Sequence, residues 1–428
     1  MRIDIPEICL VALVGSTGSG KSAFASKHFK PTEVLSSDFF RGLVSDDENN
    51  QSVTRAAFDC LYYVAGKRLD AGLLAVVDAT NVQPAARAKV IELAKEQNCC
   101  AAAIVFDLPP ELCLERNNRR QGRSYPAQVI ANHARELKRS LKSLKKEGFR
   151  HIYVLKTPEE ADNAVIVRSR LRNDRRDESG PFDVIGDIHG CYAELCALLE
   201  KMGYSVYREA HTATPPEDPA GKRRLVFLGD LCDRGPENVQ TLKLVMNMVT
   251  SGAALCTAGN HDVKLLRKLQ GANVQVSYGL DVTLAQLENE PDEFIAEAKN
   301  FLQGLISHYV LDEGKLVVSH AGLKEKLQGR SSAAVRRFCL YGETTGETDE
   351  FGLPIRLDWA DEYRGKALVL YGHTPCLAAQ PVNNTLCLDT GCVFGGKLTA
   401  YRYPEKKLVE VPALRQYYAP VKPLDYRR

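Results

Sequence analysis

Short apolar runs alternate along the first part of the chain with longer segments in which apolar residues return every three or four positions. Residues 8–14, 33–36, 73–78, 102–107 and 151–155 are rich in Val, Ile, Leu and Ala and read as strands, whereas 84–97 and 126–147 have helical spacing. Near-continuous apolar strands separated by helices imply a parallel sheet covered on both faces, an α/β unit. Residues 168–181, RSRLRNDRRDESGP, break the pattern with five arginines and a closing Gly-Pro, and read as a linker. A second βαβ-like series then runs from Phe182 to about Tyr403, and its strands end abruptly in GDIHG, GDLCDRG, GNHD, SHAG and GHTP. Two stretches without such motifs, 272–305 and 324–364, are expected to be inserted, mostly helical lids. The expected organisation is therefore a first domain over 1–167, a linker over 168–181, a second domain over 182–403 and an extended tail over 404–428.

A length of 428 residues, at roughly 150 per domain, agrees with two or three domains. Composition is ordinary for a globular protein: 44% hydrophobic and 26% charged, with 56 basic and 54 acidic side chains for a formal net charge of +2. Disorder and a globally basic binder are excluded. The balance hides a basic segment, 111–150, with eleven Lys/Arg and four Asp/Glu, which offers a track for a polyanion. Thirteen cysteines, an odd number with no CxxC pair, read as reduced and mostly buried thiols. The apolar run at 8–14 is far short of the roughly 20 residues a bilayer span needs. A cytoplasmic protein without a membrane segment is expected.

Gly15-Ser16-Thr17-Gly18-Ser19-Gly20-Lys21-Ser22 fits GxxxxGK[ST] between an apolar strand and a helix, the context a phosphate-binding loop requires. Its backbone N–H groups and helix N-terminus would cradle phosphate, Lys21 would bridge the β and γ phosphates of ATP, and Ser22 would ligate Mg²⁺. Asp38, after the second strand, reads either as a helix N-cap or as a general base, with Arg41 one turn on to hold a phosphate. Arg116, Arg119, Arg120 and Arg123 crowd one segment, either as a solvated face or as a lid converging on a transferring phosphoryl group. Asp78 and Asn81, in VVDATN, are further candidates for Mg²⁺-water or acceptor contacts. No GTPase base-reading motif is present, so phosphoryl transfer is the better reading.

In the second series the polar residues suit a binuclear metal site. Asp187 and His189 in GDIHG, with Asp230 in GDLCDRG, would hold one ion; Asp230, Asn260, His320 and His373 would hold the other, Asp230 spanning both. A nitrogen and oxygen donor set without thiolate suits Mn²⁺. Water would attack phosphorus, His261 would protonate the leaving oxygen with Asp233 orienting its ring, and Arg234 would grip phosphate oxygens. Cys191, Cys232 and Cys392 read as small packing residues.

These motifs carry a resemblance. The second domain resembles the calcineurin-like metallophosphoesterases, and the order of P-loop kinase then phosphoesterase resembles the bacterial polynucleotide kinase-phosphatases of RNA repair. That resemblance implies an N-terminal kinase fold followed by a phosphoesterase β-sandwich with flanking helices. It implies transfer of the ATP γ-phosphate to 5′-OH polynucleotide ends, and hydrolysis of 3′-phosphate or 2′,3′-cyclic phosphate ends. Asp38 would then be the kinase base, Arg41, Arg116, Arg120 and Arg123 would engage acceptor and phosphoryl group, and Asp389 in LDTG would lie near the metal site. The implied partners are RNA ends, with DNA as an alternative, an RNA ligase that is either a separate protein or a further domain of a longer chain because no K-x-D-G motif is present, and an RNA 3′-end methyltransferase; a homodimer is open. The competing expectation is a hydrolase of phosphoproteins or dinucleoside polyphosphates with a regulatory P-loop ATPase domain.

Overall fold

The computed structural model describes residues 1–119, 125–217 and 221–423. The chain divides into two compact units: Met1–Leu171 with Arg330–Ser332, and Arg172–Gly329 with Ala333–Arg428.

In the first unit five parallel strands stand in the order Val34–Ser36, Ala75–Asp78, Cys9–Gly15, Cys100–Phe106 and His151–Leu155. Alternation along the central strand splits its side chains between two cores. Leu10, Ala12 and Val14 pack with Leu61 and Leu69 of helix Thr54–Asp70, while Val11 and Leu13 pack with Phe24 and Ala25 of helix Lys21–His28. Each fully buried Leu or Val contributes roughly 1.5–3 kcal/mol. The polar flanks hold structure that the apolar pattern does not announce: Arg2–Pro6 pairs in parallel with Val165–Ser169.

The arginine-rich stretch read as a linker is correspondingly less open than expected. Arg168 donates to both carboxylate oxygens of Glu33 at 2.7 Å, and Asp174–Arg175 joins strand His308–Leu311 in the second unit's sheet. Its guanidiniums are ordered by carboxylates, with Arg176 on Asp174 and Arg175 on Glu178.

Arg87, fully buried, fixes the turn beside the phosphate loop. It donates to the carbonyls of Asn81 and Val82 at 2.9 and 2.8 Å and bidentately to Glu147 at 2.8 Å. Breaking such a pair from one side leaves a poorly compensated carboxylate and takes a donor from two carbonyls, of which Val82 O keeps only the Ser140 hydroxyl. Arg87→Met should therefore destabilise the unit by about 3–5 kcal/mol; an unshifted urea midpoint would exclude this role.

The second unit is a two-sheet sandwich with helices outside. One sheet runs Ala254–Cys256, Arg224–Phe227, Phe182–Ile185, Lys397–Tyr403, Lys407–Pro412. The other runs Pro381–Val382, Thr385–Cys387, Leu368–Tyr371, Leu316–Ser319, His308–Leu311, Asp174–Arg175. Val184, Val226, Val318 and Leu370 face the core between the sheets, whereas Leu225 and Phe227 face helices on one outer side and Val317 and Val369 on the other.

Two expectations change here. Stretch 324–364 is only partly helical, because Thr344–Thr348 and Pro354–Arg356 form a hairpin. Within the expected tail, Lys407–Pro412 is a paired edge strand. No helix among the described residues is long and apolar enough to cross a membrane.

Candidate active sites

The phosphate loop leaves the strand Cys9–Gly15 and enters helix Lys21–His28. Gly18 has φ +81°, and a Cβ there would lie 2.2 Å from the Cys113 carbonyl oxygen, so no other residue fits without moving the backbone. Lys21 Nζ folds onto the loop, donating to the Gly15 and Ser16 carbonyls at 2.9 and 2.8 Å. Among the described residues the buried hydroxyl of Ser16 has no hydrogen-bond partner. Gly15 N–H bonds the Thr80 carbonyl and Asn81 donates to Leu13 O, both at 2.9 Å, which ties the loop to the turn after Asp78.

The N-cap of helix Ser37–Ser45 is Ser36, whose hydroxyl accepts from Asp38 N–H. That removes the capping explanation for Asp38, whose carboxylate instead pairs with buried Arg41. Arg116 Nη1 lies 3.3 Å from where a Cβ on Gly20 would be, so its guanidinium reaches the loop. Arg119 turns away into an exposed pair with Glu115. Arg120 and Arg123 lie outside the described residues.

In the second unit, parallel strands bring the motif loops to the sheets' C-terminal ends. The backbone is strained there: His189, Asp230, Asp233, Arg234 and His373 all have positive φ, at 48°, 48°, 73°, 72° and 71°. Non-glycine residues adopt this region at a cost that the surrounding structure must offset. Glycines permit the close approaches, because a Cβ on Gly372 would lie 1.9 Å from Asp187 Oδ1 and one on Gly259 2.2 Å from Asp230 Oδ1.

Asp230 divides its oxygens. Oδ2 faces His189 Nε2 and Oδ1 faces His320 Nε2, each at 3.5 Å. Backbone carbonyls fix both tautomers: His189 Nδ1 donates to Cys232 O and His320 Nδ1 to Leu228 O, both at 3.0 Å, leaving the Nε2 lone pairs aimed inward. His320 Nε2 also meets Asn260 Oδ1 at 2.9 Å and His373 Nδ1 at 3.0 Å. Buried Asp187 Oδ1 and His373 Nε2 have no hydrogen-bond partner among the described residues. Lone pairs facing one another in a buried pocket fit divalent cations, and two of the three tight donor groups among the described residues lie here, His189, Asp230, His261 and Asp230, His320, His373, the third being Cys191, Glu194, Cys392. Asp187, assigned with His189, contacts the other side of the cluster: its Oδ2 accepts from His373 N–H at 3.0 Å.

The electrostatics agree. Burial opposes charge on Asp230, but the four surrounding imidazoles outweigh it and hold its pKa well below the usual carboxylate range. Burial, then the Asp389 and Asp230 charges, push Asp187 far up. Burial and Arg234 keep His189 neutral, and burial and Arg356 do the same for His373, which leaves lone pairs for a cation. Asp389 is pushed up to about 6 by burial and accepts from Gly391 N–H at 3.1 Å.

His261 Nδ1 donates to Asp233 Oδ2 at 2.7 Å, as the motifs suggest. Arg234 Nη1 lies 2.8 Å from His189 Nε2. Three partners were not apparent from the motifs. Asp262, the last residue of GNHD, accepts from the Gly259, Asp230 and Leu231 amides at 2.8, 2.9 and 3.0 Å and so stitches two loops together. Thr283 donates to Asp233 Oδ1 at 2.6 Å. Arg356, on the hairpin, adds an exposed guanidinium within the field of Asp230, Asp389 and Asp187. Only Asp262 had a signal, its place in the motif. All thirteen cysteines are unbridged, and Cys191, Cys232 and Cys392 are buried as expected.

Residues 180–396, just over half of the chain, match the model of the calcineurin-like phosphoesterases. The chain belongs to that family. As a calcineurin-like phosphoesterase it also carries a match to an AAA domain over residues 10–144. Similar proteins include the asymmetrical bis(5′-nucleosyl)-tetraphosphatase PrpE of Anoxybacillus flavithermus, 43% identical over 242 residues, which are 56% of this chain and 96% of the relative. The protein of the same name from Geobacillus thermodenitrificans is 46% identical over 236 residues, 54% of this chain and 94% of the relative. That of Bacillus subtilis is 42% identical over 240 residues, 55% and 96%. In this family divalent metals serve catalysis, and the donor set described above is suited to them.

Proposed function

We propose that the phosphoesterase unit hydrolyses phosphoric anhydrides or esters of nucleotides, a dinucleoside polyphosphate being the substrate class with most support. The observation that carries this reading is the extent of the likeness: the match spans 96% of a relative named as a tetraphosphatase, so it takes in the segments between motifs that shape specificity as well as the metal ligands. Asp187, His189, Asp230, Asn260, His320 and His373 would hold two divalent ions, Mn²⁺ in our reading. Bound there, they supply Lewis-acid stabilisation of phosphoryl charge. Arg234 binds a non-bridging phosphate oxygen, Arg356 adds positive charge at the rim, and His261 passes a proton to the leaving oxygen while Asp233 steadies the ring. Water contributes its oxygen to phosphorus as the P–O bond to the leaving group breaks.

A second reading, the healing of polynucleotide ends, is favoured by one observation in the other unit. Asp38, released from capping and held by Arg41, stands at the end of a strand paired with Ala75–Asp78, which in turn neighbours the phosphate-loop strand. A carboxylate placed there suits deprotonation of an acceptor hydroxyl, and Arg116 at Gly20 suits a transferring phosphoryl group. With ATP and Mg²⁺ this unit would phosphorylate 5′-OH ends. The phosphoesterase would clear 3′-phosphate or 2′,3′-cyclic phosphate, with RNA ends as substrate and a ligase activity downstream.

One experiment separates the readings. The protein is incubated with Mn²⁺ and either diadenosine tetraphosphate, or ATP and two separate oligonucleotides, one bearing 5′-OH and 3′-OH and the other bearing 5′-phosphate and 3′-phosphate, and the products are weighed. Cleavage of the tetraphosphate to ATP and AMP with both oligonucleotides unchanged supports the first reading; gain of a phosphate by the first oligonucleotide and loss of one by the second support the second. If the 5′ end gains phosphate, Asp38→Ala should reduce that gain by roughly 10²–10⁴-fold and leave hydrolysis untouched. Joint loss of both activities from folded protein would reject separate sites.

A further inference from the structure

We propose that residues 413–418 form a strap that positions Arg234, with Tyr418 as the positioning residue. This rests on the reading of Arg234 as the group that grips phosphate.

The strap follows the edge strand Lys407–Pro412 and lies beyond the region matched by the phosphoesterase model. It is tied at several points. Ala413 N–H bonds Gly396 O at 2.9 Å, and the Tyr417 and Tyr418 amides both bond Val393 O at 3.0 Å. Leu414 N–H and the Tyr417 hydroxyl both donate to Glu194 Oε1, at 2.9 and 2.8 Å. Glu194 is 1% exposed and stands on helix Tyr192–Lys201, which starts directly after GDIHG. A buried carboxylate in an otherwise apolar helix face is costly unless it is bonded, and the strap supplies two donors to its Oε1.

The strap delivers one aromatic ring. Arg234 Cζ lies 6.0 Å from the Tyr418 ring centroid and 5.2 Å from that of Phe394. Phe394 belongs to the turn Cys392–Phe394, whose Val393 carbonyl anchors the strap, so one turn sets both rings. Arginine has a large rotamer entropy, and a guanidinium held by two π faces has less of it to lose when it binds phosphate. The rings also fix the direction of Arg234 Nη1 toward His189 Nε2, at the metal cluster.

The test uses the full chain loaded with Mn²⁺ and p-nitrophenyl phosphate as probe. Tyr418→Ala and Tyr418→Leu should each lower kcat/KM about tenfold, while Tyr418→Phe stays within about twofold of the parent. The leucine variant fills the space without a π face, so it reports positioning even where the alanine variant folds poorly. In an Arg234→Ala background, Tyr418→Leu should cost nothing further. Parent-like activity of Tyr418→Leu, or the same loss with and without Arg234, overturns the strap. Parent-like activity of Arg234→Ala overturns the phosphate-gripping role beneath it, a separate result.

Discussion

Asp230→Asn should lower metal-dependent hydrolysis on the order of 10³-fold or more, with the fold intact. The substitution is nearly isosteric, and the retained carbonyl oxygen can still accept from His261 N–H, a bond now 2.9 Å long. The second anionic oxygen, which faces His189 as the first faces His320, is lost. Paired ions supply several kcal/mol of stabilisation to a phosphoryl transition state, and each 1.36 kcal/mol is tenfold in rate. Four imidazoles now surround a full negative charge; after substitution they surround a neutral amide, so cation affinity should fall with activity. Metal content by elemental mass spectrometry and rate across a Mn²⁺ titration provide the check. Unchanged stoichiometry with a rate within tenfold of the parent would show that Asp230 is not shared between two ions.

The parts of this molecule that could be read from sequence are those where one local pattern carries the whole signal. The strand Cys9–Gly15 is legible because every residue in it is buried, which forces an unbroken apolar run. The motif loops are legible because a close approach such as Gly259 against Asp230 demands glycine beside the functional residue. What stays hidden depends on partners far along the chain. Thr283 meets Asp233 from 50 residues away, and Tyr417 meets Glu194 from 223 away. Neither carries a periodic or compositional mark. Edge elements are hidden for a different reason. Thr344–Thr348 is exposed at every position and Lys407–Pro412 at three of its six, so no clean alternation distinguishes them from loop. Arg168 misleads by composition: in a run of arginines it suggests solvent, yet Glu33, 135 residues distant, orders it.

The same dependence on distant partners sets the final expectation. His261→Ala should reduce hydrolysis by roughly 10²–10⁴-fold when the leaving group is an alcohol or a nucleotide, and far less when it is p-nitrophenolate. A carboxylate can only accept, so the 2.7 Å contact places the proton of His261 Nδ1 toward Asp233 and supports the ring when its other nitrogen is protonated. Asp233 is itself held by Thr283, whose hydroxyl donates to Oδ1 at 2.6 Å and accepts from Asp233 N–H at 3.1 Å. Asp233→Asn should therefore show the same leaving-group dependence with a smaller amplitude, and Thr283→Ala a smaller one again. An aryl leaving group departs without a proton, so the contrast isolates acid catalysis from binding. Equal losses on both kinds of substrate would assign His261 to metal binding, a role its closeness to His189 and Asp230 also permits, and would remove the acid from the mechanism.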